Sequence, residues 1–185
     1  MTVAVLDACV LYSAALRDFW MHLAVQSAFQ PKWTSRIQEE WIRSLLANRP
    51  DLTREQLART QLQMERWGRD WEAPPHEYLL PRLRLPDAND CHVLAAAIAS
   101  RAEVIVTFNL GDFPTQTLAR HDVQAVHPDA FAHRLLGEVP AAVLAGARNH
   151  RLSLVKRPKS RDAYLDTLAL AGLPLTAAQL RDWEI

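Results

Sequence analysis

The chain has 185 residues, of which 49% are hydrophobic and 23% are charged, and its formal net charge is zero. This length suits one domain with room for a hydrophobic core, and the composition excludes a disordered or fibrous protein. The balanced charge excludes a protein that binds nucleic acid through an overall basic surface. We therefore expect a folded, water-soluble protein.

The amino-terminal segment and the cysteines carry no sorting or cross-linking signal. Met1 leads straight into an apolar segment without a basic region before it, and no apolar run approaches the roughly 18 residues that cross a bilayer. We therefore expect a cytoplasmic protein without membrane association. Cys9 and Cys91 lack disulfide or metal-ligand spacing, so each is interpreted as a small buried apolar residue.

Three apolar runs predict the strands of a parallel sheet. Residues 3–6 and 104–106 are continuously apolar, which is typical of strands covered on both faces, and residues 123–126 form a weaker third candidate.

Five helical patterns lie among these runs. Thr53 and Gln56 are spaced as a helix-capping box. The predicted helices span residues 9–28, 35–47, 54–71, 88–101 and 129–136. These elements predict an α/β fold.

The remaining chain is predicted as one connection and an all-helical end. Segment 72–86 contains four prolines, which indicate an extended connection into the helix that follows. After Gly137 only helical patterns remain, at 138–150, 160–171 and 176–183. We therefore predict a first domain at residues 1–137 and a helical appendage at residues 138–185.

Five polar residues occupy positions that converge at one edge of a parallel sheet. Asp7 follows the first strand, Glu40 lies within a helix, and Asp90 opens a later helix. Asn109 and Asp112 follow the next strand. Open α/β sheets bind ligands outside the carboxyl ends of their strands. Each residue taken alone also fits an ordinary role in a turn, a cap or a solvated helix face.

Carboxylates that converge in this way repel one another. Two unit charges about 4 Å apart cost on the order of 4 kcal/mol at an effective dielectric of 20, so clustered acids protonate in part unless a cation is bound. An all-oxygen ligand set without thiolate or imidazole favours Mg²⁺ or Mn²⁺ over zinc. Such an ion suits in-line attack of water on a phosphodiester.

Four segments resemble the PIN-domain nucleases, in particular the VapC-type toxins of bacterial toxin–antitoxin pairs. They are VLDACVLYSA, TSRIQEEWIRSL, PDANDCHVLAAAI and VIVTFNLGDF, and they lie in the family's order between residues 2 and about 130. Residues 140–180 resemble the carboxyl-terminal extension of a VapC subgroup. The resemblance implies a three-layer α/β/α PIN fold and a Mg²⁺-dependent endoribonuclease. It also implies structured RNA such as tRNA or ribosomal RNA as substrate, a cognate antitoxin and a homodimer.

The resemblance gives each polar residue of the pattern a role. It implies that Asp7 and Asp90 bind the ion directly. Glu40 and Asp112 then complete the metal site or orient water, with Asp112 as a third ligand. Asn109 supports these acids by hydrogen bonding.

Two choices among neighbouring residues follow from the same resemblance. Glu40 is preferred to Glu39 because an apolar residue, here Trp41, follows the family's acid. Many relatives have an acid where this chain has Asn89, which weakens any role of a second carboxylate there. Asp87 could compensate, but it fits a helix cap equally well.

His92 and the tryptophans have a packing interpretation. His92 projects from a different helix face than Asp90 because it lies two residues further along. The tryptophans within or near helical patterns are interpreted as buried core rather than as RNA-stacking platforms. They are Trp33, Trp41, Trp67 and Trp71.

The densest basic segment lies in the predicted appendage. Residues 148–161 contain six basic residues and no acid, whereas residues 1–147 contain 14 basic and 17 acidic residues. A solvated linker and a surface that contacts RNA phosphates are both consistent with this segment. The candidate RNA-binding residues are Arg148, Arg151, Lys156, Arg157, Lys159 and Arg161.

Two other functions fit this class of fold. A PIN-fold protein without catalysis would bind RNA and leave it intact; Asn89 favours this alternative, whereas the four acids oppose it. A metal-dependent phosphohydrolase or phosphotransfer domain would also place an aspartate after the first strand. The DAC sequence, however, lacks the second acid of a haloacid-dehalogenase-type phosphatase, and VIVTFN lacks the lysine of a receiver domain.

Overall fold

Four parallel strands form one sheet in the computed structural model, which describes residues 1–68 and 70–185. The strands are β1 Val3–Leu6, β2 Gln30–Lys32, β3 Val104–Val106 and β4 Gln124–Val126. Their order in the sheet is β2-β1-β3-β4, and the register places Leu6 beside Val106. β1 and β3 therefore lie side by side in the centre and end at the same edge.

Helices flank this sheet, which confirms the predicted α/β fold with a central parallel sheet and carboxyl-terminal helices. The α-helices are α1 Ala8–Tyr12, α2 Ala14–Val25, α3 Ser35–Asn48, α4 Arg54–Trp67, α5 Cys91–Ala99, α6 Thr115–Leu118, α7 Pro128–Glu138, α8 Pro140–Ser153, α9 Arg161–Leu170 and α10 Pro174–Leu180. Short 3-10 helices span Glu77–Arg82, Ala88–Asp90, Leu110–Asp112 and Ala119–His121. Among the helices in the described part of the chain, none has the length and apolar character that crossing a membrane requires.

The apolar pattern explains why these elements form and how they pack. β3 is buried at every residue, and β1 is buried after its first residue, because helices cover both faces of the central strands. In α3 the predicted apolar stripe of Ile37, Trp41 and Leu45 is buried. The Arg17 guanidinium of α2 lies 4.6 Å from the centre of the Trp41 ring, so a cation–π contact joins α2 and α3.

Several predicted boundaries are wrong. The helix predicted at residues 9–28 is two helices, because Ser13 adopts an extended conformation and its hydroxyl caps α2. β2 was not predicted, since the sequence QPK has no apolar alternation. The connection at 72–86 is not extended throughout, because Glu77–Arg82 forms a 3-10 helix.

The helix predicted at residues 54–71 is confirmed only in part. Its capping box of Thr53 and Gln56 is present, but α4 ends at Trp67, and residue 69 lies outside the described residues.

Trp67 is 39% exposed at this helix end, so its predicted burial is wrong. The other three tryptophans follow the prediction more closely. Trp33 and Trp41 are fully buried, and the partly buried Trp71 stacks on Trp33.

The carboxyl-terminal helices are joined to one another and to α2. The buried carboxylate of Asp129 in α7 accepts hydrogen bonds from the backbone N–H groups of Leu175 and Thr176, at 2.8 and 2.9 Å, and so holds the start of α10. Gly146 lets α8 approach α2 closely, since a Cβ atom there would lie 2.6 Å from Cδ2 of Leu23. The domain boundary between residues 137 and 138 stays a prediction.

Candidate active site

The Asp7 carboxylate is fixed at the carboxyl end of β1. The Asp7 backbone N–H donates to the carbonyl of Val106 at the end of β3, at 3.1 Å. Its side chain is only 6% exposed and accepts hydrogen bonds from the Ala8 backbone N–H and the Thr107 hydroxyl, both at 2.7 Å. These donors hold one orientation of the carboxylate, which is the requirement for a precise ligand.

Cys9 and Thr107 are site residues that the sequence interpretation missed. The Cys9 thiol donates to Oδ2 of Asp7 at 3.2 Å. Burial, together with the charge of Asp7, raises the pKa of Cys9 to about 12, so the thiol keeps its proton. The Thr107 hydroxyl also accepts from the Asn109 backbone N–H at 3.0 Å. Cys9 is therefore a polar donor rather than the predicted apolar residue, whereas Cys91 is buried as predicted.

Asp90 lies where a 3-10 helix passes into α5. The predicted cap is Asp87, whose side chain accepts from the Asn89 backbone N–H at 2.8 Å. Asp90 is the N-cap of α5 by position, yet its side chain makes no capping hydrogen bond. The Asp90 carboxylate is therefore not committed to the helix end.

The acids predicted to converge act on one another electrostatically. The pKa of Asp90 is raised to about 6, and burial is the largest cause. The negative charges of Asp7, Asp87, Asp112 and Glu40 raise it further. Residues from four separate parts of the chain thus form one negative region around Asp90. A bound cation relieves this repulsion.

The adjacent acids of α3 have different environments. Glu40 is half-buried, and its Oε1 atom receives both Arg36 Nε at 3.2 Å and His92 Nε2 at 3.1 Å. Burial alone would raise the pKa of Glu40, but the hydrogen bonds and charges of His92 and Arg36 outweigh it and lower the pKa. Glu39 is exposed and pairs with Arg54 at 2.8 Å, as expected for a solvated acid.

His92 is a further residue whose contact the sequence did not indicate. The residue is 2% exposed, as the packing interpretation predicted. Its ring, which belongs to α5, contacts the candidate acid Glu40 of α3. Its position two residues after Asp90 gives no sign of a contact with α3. The pairing depends on how α5 and α3 meet, which a local pattern does not contain.

Asn109 and Asp112 flank the 3-10 helix that follows β3. Asp112 is half-buried, and its charge acts on Asp90. Asn109 is exposed, and no described residue hydrogen-bonds its side chain.

Glu40 and Asp90 open into one cavity of about 430 Å³. Its lining residues are Arg36, Glu39, Glu40, Arg43, Asn89 and Asp90.

The donor set fits a hard cation that retains water. Within residues 1–68 and 70–185, no three His, Cys, Asp or Glu side chains form a ready-made cage for a metal ion. Mg²⁺ does not need such a cage, because it binds through one or two carboxylates and several waters. Asp7 and Asp90 supply carboxylate oxygens, and burial, followed by the charges of the neighbouring acids, raises the pKa of Asp90.

The structure brings three of the six candidate RNA-binding residues together. A groove of about 390 Å³ between α8 and the start of α9 is lined by Arg148, Arg151, Arg161, Glu184 and Ile185. The Nε atoms of Arg151 and Arg161 are buried and have no hydrogen-bond partner among the described residues. The other three, Lys156, Arg157 and Lys159, lie in the connection before α9 and do not line this groove.

Comparisons with known proteins match both parts of the chain. The family model of the PIN domain matches residues 3–111, and that of the VapC50 C-terminal domain matches residues 128–182. A Mycobacterium tuberculosis protein named "Putative ribonuclease VapC50" is 57% identical over 95 residues, which are 50% of this chain and 54% of that protein. The match thus spans about half the length of this relative. No solved structure matches the chain.

Proposed function

The chain belongs to the PIN-domain family, in the VapC type with a carboxyl-terminal extension, and from this premise we propose that it is a Mg²⁺-dependent endoribonuclease. The observation that carries the proposal is that Glu40 and Asp90 line one cavity, while Asp7 and Asp112 follow the neighbouring strands β1 and β3. The relative that is 57% identical over the matched segment bears the name of a ribonuclease, which supports RNA as the substrate.

Each site residue has a role that its contacts support. Asp7, oriented by Thr107, and Asp90, free of capping, would hold the ion together with Asp112. When bound, Mg²⁺ or Mn²⁺ acidifies a water molecule and offsets negative charge on the phosphodiester. Glu40, which lines the same cavity as Asp90, would orient the attacking water and accept its proton.

The arginines and Asn109 support this chemistry without taking part in bond cleavage. Arg36 and Arg43 line the same cavity as Glu40 and Asp90, where they offset the approach of the RNA phosphates to the acids. Asn109, next to Asp112, hydrogen-bonds the acids or the RNA.

The biological setting of the proposal comes from the VapC type. The chain acts as the toxin of a toxin–antitoxin pair on structured RNA such as tRNA or ribosomal RNA, as a homodimer in the cytoplasm. A cognate antitoxin blocks the acidic site. The six basic residues of segment 148–161 contribute affinity for RNA phosphates rather than chemistry.

The proposal is tested by measuring cleavage of structured RNA with and without Mg²⁺. We expect cleavage that requires the ion and is lost in Asp90→Asn. A thermal unfolding scan of the same proteins gives a second readout. Metal at about 100 times its dissociation constant stabilises the parent by roughly 2.7 kcal/mol, and Asp90→Asn by much less. Equal metal-induced shifts in both proteins contradict the metal site.

The other functions give different outcomes in the same assay. A PIN-fold protein without catalysis binds the RNA and leaves it intact at every Mg²⁺ concentration. A phosphohydrolase cleaves a generic phosphomonoester and spares the RNA. Single-stranded DNA is included to distinguish a ribonuclease from a general nuclease.

A further inference from the structure

His92 connects the two helical segments that carry the candidate acids. It lies in the first turn of α5, two residues after Asp90, and its Nε2 atom is 3.1 Å from Oε1 of Glu40 in α3. The ring is 2% exposed. A contact at this distance from an almost fully buried ring restrains the carboxylate of Glu40, whose side chain stays 23% exposed towards the cavity.

The chemistry of the contact determines which ring nitrogen carries hydrogen. An ionised carboxylate only accepts hydrogen bonds, so Nε2 of His92 must be the donor. Nδ1 is buried and has no hydrogen-bond partner among the described residues. Leaving such an atom unpaired costs about 1–3 kcal/mol. An apolar side chain would fill this position without that cost, so packing alone does not explain a histidine here.

The contact also distinguishes the two oxygens of Glu40. Arg36 and His92 both donate to Oε1, and no described residue donates to Oε2. Oε1 is therefore the anchored atom, and Oε2 is the atom available to water. Glu40 opens into the cavity that also contains Asp90.

We propose that His92 is a positioning residue, which anchors Oε1 of Glu40 so that Oε2 faces the water activated beside Asp90. This inference rests on the proposed function of the acidic site. His92 does not touch substrate or metal; it acts through Glu40. Because the same turn carries Asp90, the contact also fixes the distance between the acid of α3 and the acid at the start of α5.

The decisive test compares two substitutions of His92 in the full chain. His92→Phe keeps a buried ring of similar size and removes the donor, whereas His92→Gln keeps an amide N–H that can reach Glu40. We expect His92→Phe to lower kcat for RNA cleavage about 10- to 100-fold with little change in KM, and to weaken Mn²⁺ binding in titration calorimetry. His92→Gln should recover most of both losses. His133→Phe, on an exposed histidine of α7, is the matched control and should behave as the parent.

A double-mutant cycle shows whether His92 acts through Glu40. On a Glu40→Gln background, His92→Phe should cost no further activity, since the residue that it positions is already impaired. The same fold-loss on both backgrounds overturns the proposal, and so do equal losses in His92→Phe and His92→Gln that follow the melting temperature.

The outcome is distinguishable from failure of the proposed function. If the parent cleaves RNA with Mg²⁺ and His92→Phe matches it in kcat and Mn²⁺ affinity, the function stands and the positioning role is wrong. If the parent binds Mn²⁺ but does not cleave RNA, the function is wrong, and the Mn²⁺ affinities of the two His92 variants still decide the positioning role. A parent that binds no metal contradicts both.

Discussion

Thr107, which directly follows β3, orients the carboxylate of Asp7 at the end of β1. Its hydroxyl donates to Oδ2 of Asp7 and accepts from the Asn109 backbone N–H, and the residue is fully buried. One side chain thus orients a candidate metal ligand and begins the turn that carries Asn109 and Asp112. An apolar residue of the same shape would preserve the packing and lose both hydrogen bonds.

We therefore predict different effects for two substitutions of Thr107. Thr107→Val keeps the shape and removes the hydroxyl, so Mn²⁺ affinity should fall about tenfold or more because Oδ2 of Asp7 loses its shortest hydrogen bond. Thr107→Ser keeps the hydroxyl and should bind Mn²⁺ within about threefold of the parent. Titration calorimetry measures both affinities, and urea unfolding should show a loss on the order of 1 kcal/mol for each variant. Equal Mn²⁺ affinities of the two variants contradict the orienting role.

Glu39 and Glu40 provide a second test at this scale, because both line the cavity beside Asp90. Glu40→Gln should reduce the rate of RNA cleavage about 100-fold, since an amide cannot accept the proton that the proposed function assigns to Glu40. Glu39→Gln should stay within about twofold and lose little stability, because it breaks only an exposed ion pair with Arg54. Initial rates at saturating RNA measure both. Loss of activity in Glu39→Gln alone would show that the catalytic acid of α3 was assigned wrongly.

The sequence indicated where the candidate acids lie but not which side chains contact them. Asp7, Asp90 and Asp112 could be placed near one another because each follows or begins an element at one edge of the sheet. Thr107 and His92 could not be assigned, because their roles depend on Asp7 and Glu40, which lie far away in sequence. Side-chain hydrogen bonds across elements leave no periodic signal.

At the scale of elements, the predictions succeeded where the apolar pattern was strong. The buried strands β1 and β3 and the helix α3 show periodicities that follow from burial on one or both faces. β2 lies at the edge of the sheet and contains Pro31, so its sequence lacks the signature of a central strand. The break between α1 and α2 was hidden because apolar residues continue across Ser13.

The groove between α8 and α9 leads to a prediction about RNA binding. Changing Arg148, Arg151 and Arg161 together to Gln should weaken RNA binding and flatten its dependence on salt, because their guanidinium groups line one groove. Each lost phosphate contact lowers the salt slope by about 0.7 for a single-stranded segment of the RNA and by about 0.9 for a duplex segment. Fluorescence anisotropy over a series of salt concentrations measures both quantities.

The chain contains its own matched control for charge. Changing Lys156, Arg157 and Lys159 to Gln removes the same three charges from the connection before α9, outside the groove. This variant should lose less affinity and less salt slope than the groove variant. If the two triple variants behave alike, the segment contributes only general charge; if neither changes the salt slope, it is a solvated linker.

At the scale of the whole molecule, His150 is the junction between the carboxyl-terminal helices and the sheet-containing part. It lies in α8, stacks on His22 of α2 at 5.3 Å, and its Nδ1 atom is 3.1 Å from the Tyr164 hydroxyl of α9. Burial, followed by the charges of His22 and Lys159, lowers the pKa of His150 from 6.5 to about 4. The native junction therefore contains a neutral imidazole at pH 7.

This shift predicts that acid weakens the attachment of the carboxyl-terminal helices. Because the pKa of His150 is lower in the folded protein than in the unfolded chain, its stabilising contribution is complete above pH 6.5 and is lost as the pH falls towards 4. Between pH 7 and pH 5 the loss should be about 2 kcal/mol in the free energy of unfolding. Urea unfolding of the metal-free protein at the two pH values measures it. His22 contributes in the same direction, since burial lowers its pKa as well.

Substitution of His150 separates this effect from the titration of other groups. His150→Phe cannot gain a proton, so its loss of stability between pH 7 and pH 5 should be smaller than that of the parent by about 2 kcal/mol. Its stability at pH 7 will also fall, because the hydrogen bond with Tyr164 is lost, and only the difference between the two pH values is compared. His133→Phe, an exposed residue of α7, should keep the full pH dependence of the parent. If His150→Phe and the parent lose equal stability on acidification, the buried imidazole does not set the acid sensitivity of the junction, and other groups that titrate between pH 7 and pH 5 account for the loss.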